Sequence, residues 1–157
     1  MKEKEAWSPG CCVVTEPEPA LALMEMHSSI LVVEDRFDLA VLMEAKLESQ
    51  GYAILVAHDG IKGLEMALHE KTAVIVLDQF LPGMSGMDVL EALKEDSRTS
   101  EIPVIFLLST RDENPDPGTI LERGAARVLA KPLDVDKLVQ EVTRFVPEGG
   151  SWISLGS

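Results

Sequence analysis

Five short apolar runs, at residues 30–33, 53–57, 73–77, 104–108 and 127–130, divide the middle of the chain at regular intervals. Their shortness and their Val, Ile and Leu content suit strands buried on both faces better than helices. The stretches between them carry apolar residues at helical spacing. Leu39, Met43 and Leu47 share a face, as do Ile61, Leu64 and Leu68. Leu90 with Leu93, and Leu138 with Val142 and Phe145, repeat the arrangement. A further helix is expected near residues 119–123, where Pro115, Pro117 and Gly118 crowd its start. Residues 1–28 mix charges with Pro9, Gly10, Pro17 and Pro19 and keep no period, which predicts a flexible N-terminal extension. Met24 or Met26 within it could be a natural start. Residues 147–157 open with Pro147-Glu148-Gly149-Gly150-Ser151 and read as a flexible tail or a cut linker.

Strand–helix units repeated five times imply a parallel sheet with helices on both faces. Right-handed crossovers leave few arrangements, and a five-stranded doubly wound α/β sheet over residues 29–146 is the economical one. All strands of such a sheet end at one edge, where ligands bind at the topological switch point. The residues just past each run therefore carry the functional signal. Glu34-Asp35 follow the first run, Asp78 the third, Ser109 and Thr110 the fourth, and Lys131-Pro132 the fifth. Three carboxylates drawn together repel unless a positive charge sits among them. A hard divalent cation meets that need, and Mg²⁺ takes one or two carboxylates together with water and a phosphate oxygen. A carboxylate can also act as nucleophile and form an acyl phosphate. A lysine ammonium would then pair with the phosphoryl oxygens. Each residue alone has a plainer reading. Glu34 and Asp35 could cap a helix; Asp78 could open an Asx-turn before Pro82-Gly83; Lys131 could be a solvated turn residue. Their joint placement is what favours a phosphoryl-accepting metal pocket.

Composition narrows the classes without naming one. At 157 residues, with 46% hydrophobic and 26% charged, the chain suits one globular domain. Aromatics at 4% leave a core of Val, Leu, Ile, Ala and Met. A net charge of −13 argues against a nucleic-acid face, and agrees with a metal site or a basic protein partner. No charge-free run reaches the roughly 18 residues of a membrane span, and no secretory signal is legible. Cys11 and Cys12 are adjacent and form no disulfide framework, so the expected location is cytoplasmic.

The motifs at the strand ends are specific enough to carry a resemblance. Ile30-Leu31-Val32-Val33-Glu34-Asp35 resembles the opening strand of response-regulator receiver domains. The segment from Val76 through Asp78-Gln79-Phe80-Leu81-Pro82-Gly83 to Gly86 resembles their phosphoacceptor segment. Ile102-Pro103-Val104-Ile105-Phe106 resembles the lead into their fourth strand, and Gly124-Ala125 with Lys131-Pro132 resembles their fifth. The chain resembles the stand-alone chemotaxis-type receivers, and the likeness covers about residues 29–146 with the motifs in order. It implies a flavodoxin-like (βα)₅ fold of strand order 2-1-3-4-5. It implies Asp78 as phosphoacceptor, Glu34 and Asp35 with Asp78 as ligands of Mg²⁺, and the Phe80 backbone carbonyl as a further ligand. Lys131 would hold the phosphoryl group, before a cis bond to Pro132. A histidine kinase or phosphotransfer protein would be the donor and a protein the recipient of the signal. Neither nucleic acid, membrane nor an external small-molecule substrate is implied.

Two departures stand out. Receivers usually end the fourth strand with Thr or Ser. Counting from Pro103 puts Leu108 there, whereas counting back from Lys131 puts Ser109 there. One residue of shift reverses the side chain's direction. Val128 also stands where many receivers carry an aromatic that swings inward on activation, and Val is short and stiff at χ1. These departures keep open a pseudo-receiver, an interaction module that signals without phosphorylation. An enzyme on the same sheet fits less well. Asp78 is followed by Phe80 rather than by a second Asp two residues on, and no P-loop or Gly-x-Ser-x-Gly elbow occurs.

Overall fold

The five runs become five strands: β1 (Ser29–Val33), β2 (Ile54–Ala57), β3 (Thr72–Asp78), β4 (Val104–Leu108) and β5 (Arg127–Ala130). Five helices alternate with them: α1 (Phe37–Glu48), α2 (Gly60–His69), α3 (Gly86–Glu95), α4 (Pro117–Glu122) and α5 (Val135–Phe145). This computed structural model describes residues 29–109 and 115–146. The expected extension at residues 1–28, with Cys11 and Cys12, and the expected tail at residues 147–157 lie outside them.

The sheet is parallel throughout, in the order β2-β1-β3-β4-β5, the flavodoxin-like arrangement. Alternate residues of the strands feed two cores. Leu31, Val33, Ile75, Leu77, Val104 and Phe106 pack on one face with Val89, Leu90 and Leu93 of α3 and Ile120 of α4. Ile30, Val32, Val74, Val76, Ile105 and Leu107 pack on the other with Met43 and Leu47 of α1 and Leu138 and Val142 of α5. Burial on both faces explains why the runs of the three inner strands, β1, β3 and β4, are continuously apolar rather than alternating.

The α2 face differs from its expectation. Ile61 is 59% exposed, while Gly60, Gly63 and Ala67 are the buried positions. The cause is close approach to the sheet: a Cβ at Gly63 would lie 2.8 Å from the Val33 methyls. Small residues therefore face β1, and the larger ones are displaced to the flanks. The α4 helix begins at Pro117, whose missing N–H is no loss in a first turn. The Asp116 carboxylate caps it, accepting from the N–H groups of Gly118 and Thr119. The prolines that crowd this start thus set the helix rather than obstruct it. No helix among the described residues is long and apolar enough to cross a membrane.

Candidate functional site

Strand order reverses between β1 and β3, and the carboxyl ends of these two strands meet at that switch point. Past the end of β1, the Glu34 N–H still donates to the Ala57 carbonyl at 3.0 Å, so the ladder fixes its backbone. The Glu34 side chain is fully buried. Asp78, the last residue of β3, pairs in register with Leu107 and is 3% exposed. Asp35 stands exposed beside them, and ligand oxygens of Glu34, Asp35 and Asp78 lie within 4.8 Å of one another. Past β5, the Lys131 N–H donates to the Leu108 carbonyl at 2.9 Å. Its ammonium reaches back to Glu34 Oε1 at 3.1 Å and Asp78 Oδ1 at 2.9 Å. The bond from Lys131 to Pro132 is cis.

The electrostatics follow from this packing. Burial, then a hydrogen bond and the charge of Asp78, push Glu34 up to about 7 against the downward pull of Lys131. Burial alone would lower Lys131, but Asp78 and Glu34 outweigh it and hold the ammonium above its ordinary range. Asp78 Oδ1 is buried and lacks an aligned hydrogen bond; the Lys131 contact there is an ion pair by distance only. A clustered acidic donor set with an under-satisfied oxygen at its centre fits a divalent cation.

The helix-cap reading of the acidic pair does not describe what they do. The N-cap of α1 is Arg36, which makes no side-chain capping bond, and Glu34 Oε2 accepts only a long 3.5 Å contact from the Arg36 N–H. Phe80, two residues past Asp78, lies on the same edge with its side chain 44% exposed.

The fourth strand runs without a bulge. Val104 to Leu107 pair in step with β3, and Ile105 to Leu108 with β5. The extra residue therefore lies beyond Leu108. Leu108 holds the last strand position with its side chain in the core, and Ser109 comes next, half-buried. Val128 packs against the α3 and α4 side of the core.

Two neighbours of the site were not legible as such. His58 stacks on Phe37, with ring centroids 4.1 Å apart, and its Nδ1–H donates to the Glu34 carbonyl at 3.1 Å. Gln79 is buried next to Asp78, and its Oε1 accepts from the Ser109 N–H at 3.0 Å. A lone polar residue after a strand carries no periodic signal, so neither could be found from spacing.

Known proteins agree with this geometry. Residues 30–143 match the family described as response regulator receiver domain. The chain is 37% identical over 123 residues to the transcriptional regulatory protein YkoG of Bacillus subtilis. That match covers 78% of this chain and 52% of YkoG, so the chain spans about half the length of this relative. It is 34% identical to PilH of Pseudomonas aeruginosa, over 72% of this chain and 93% of PilH. The receiver domain of the sensor histidine kinase PA1611 of Pseudomonas aeruginosa, solved with a magnesium ion coordinated in its active-site cleft, superposes with a TM-score of 0.67. It shares 27% identity, over 75% of this chain and 96% of that one. A match that runs from the first strand into the last helix includes every element that builds the acidic edge, and by it the chain belongs to the response regulator receiver domains of two-component systems.

Proposed function

We propose that this domain accepts a phosphoryl group on Asp78 in the presence of Mg²⁺ and signals the change to a protein partner. The observation that carries the reading is the Lys131 ammonium within 3.1 Å of both Glu34 and Asp78, beside the exposed Asp35. Glu34, Asp35, Asp78 and the Phe80 carbonyl would hold the cation. When bound, it supplies positive charge to the phosphoryl oxygens and neutralises the carboxylates. Asp78 offers a buried oxygen as nucleophile. A new P–O bond forms to it while the P–N bond of a phosphohistidine donor breaks and the donor imidazole leaves. Lys131 turns from the carboxylate pair to the incoming oxygens, and the Ser109 hydroxyl adds a donor at the rim. The donor would be a histidine kinase or a phosphotransfer protein, and the setting cytoplasmic.

The test is intact mass after incubation with Mg²⁺ and acetyl phosphate, with Asp78→Ala as control. One added phosphoryl group, absent in the variant and absent without Mg²⁺, supports the reading. Because an acyl phosphate can hydrolyse quickly, beryllofluoride binding is measured in parallel.

One specific observation favours a second reading. Leu108 fills the strand end where receivers carry a hydroxyl, and Val128 replaces the mobile aromatic. A pseudo-receiver, binding its partner without phosphorylation, would show neither the phosphoryl adduct nor the beryllofluoride complex.

A further inference from the structure

The phosphoacceptor reading leaves open how a change at Asp78 leaves the site, since Leu108 and Val128 cannot perform the usual rotations. One peptide group holds the answer. The Leu108 carbonyl accepts from the Lys131 N–H at 2.9 Å, and the Ser109 N–H donates to Gln79 Oε1 at 3.0 Å. Both polar ends of the Leu108–Ser109 peptide are therefore held, one by the residue that pairs with Asp78 and the other by its chain neighbour. A peptide is planar, so fixing both ends fixes the direction in which the chain leaves β4. The oxygen assignment is not arbitrary, because only the carbonyl oxygen of Gln79 can meet an N–H donor.

Gln79 is well placed to move this peptide. It is 5% exposed, its N–H donates to the Leu107 carbonyl at 3.2 Å, and its carbonyl accepts from the Gly86 N–H at 2.8 Å. Its backbone is thus tied to both β4 and the start of α3. The Gln79 amide is buried while Ser109 is half-buried, so removing the amide takes away the fixed acceptor of the Ser109 N–H and opens it to exchange with solvent.

We propose that Gln79 is a positioning residue that couples Asp78 to the carboxyl end of β4, and from there to α4, through the Leu108–Ser109 peptide, in place of a hydroxyl at the last strand position and of the aromatic rotor. The proposal rests on Asp78 being the acceptor. The Gln79 side chain accepts from the Ser109 N–H and is not a member of the acidic cluster, so its loss should leave adduct formation in place and uncouple α4 from it.

The experiment monitors backbone amides of the full chain by NMR, with and without Mg²⁺ and beryllofluoride, in the wild type, Gln79→Met and Gln79→Glu. In the wild type, the Ser109 amide is protected from exchange, and the adduct shifts its resonance and those of α4. In Gln79→Met, exchange at Ser109 rises about tenfold, the effect of one lost hydrogen bond. The adduct still shifts Lys131 there, while the α4 response falls away. Gln79→Glu keeps an acceptor oxygen and restores protection at Ser109. An unprotected Ser109 amide in the wild type overturns the proposal whether or not Gln79→Met folds. So does an undiminished α4 response in Gln79→Met with the adduct formed. No adduct in the wild type sinks the acceptor reading itself, and the coupling with it.

Discussion

Lys131 stands between two buried carboxylates, and most of the site's behaviour without metal turns on it. Lys131→Met leaves Glu34 and Asp78 facing each other without a cation. The expected result is a loss of about 3 kcal/mol in urea unfolding at pH 8, part of it recovered on adding Mg²⁺. The raised pKa of Glu34 gives a second expectation. Between about 4.5 and 7 the folded chain holds a proton on Glu34 that the unfolded chain has released. Stability then falls as pH rises through this window, because the folded state binds more protons than the unfolded one. The fall should total roughly 2–3 kcal/mol without metal and level off above pH 7. Urea midpoints at pH 5 and pH 8 measure it, and Glu34→Gln should flatten the difference. The charged members of this cluster were legible because topology alone brings strand ends to one edge. Gln79 and His58 were not. Each is one polar residue in a loop, and only coordinates show that its partners, Ser109 and the Glu34 carbonyl, lie within reach.

Among the elements, the strands were the easiest to read and α2 the hardest. A strand buried on both faces announces itself by an unbroken apolar run, as β4 does, and the edge strand β5 also occupies the run that predicts it although Arg127 and Ala130 are exposed. In α2 the fully buried residues are Gly60, Gly63 and Ala67, which carry almost no hydrophobic signal, so the expected stripe is used only in part: Leu64 packs at the edge of the core while Ile61 stays exposed. Gly63→Ala tests this directly. Its new Cβ would press on the Val33 methyls, and a loss of about 1–3 kcal/mol is expected in chemical denaturation, whereas Ile61→Ala should change little. The α4 helix depends on its cap. Asp116→Ala removes the acceptor for Gly118 and Thr119 and should loosen the helix start, read as faster amide exchange confined to α4 and its flanks.

Across the whole molecule, the face of the sheet that carries α2, α3 and α4 is fitted unevenly along its width. On the side of α2 and α3, side-chain-free positions let backbone touch backbone. A Cβ at Gly60 would strike the Met84 carbonyl, one at Gly86 the Asp78 carbonyl, and one at Gly63 the Val33 side chain. Farther along, α4 is six residues long and buries only Ile120 within its span. The domain is thus unequally braced, closely fitted like an anvil behind the end of β3 and thinly packed at α4. Close backbone contacts oppose movement toward α2 and α3, and among the neighbouring elements α4 has the least packing to oppose it. The glycines that hold the loop after β3 in place also choose the direction in which the molecule can yield.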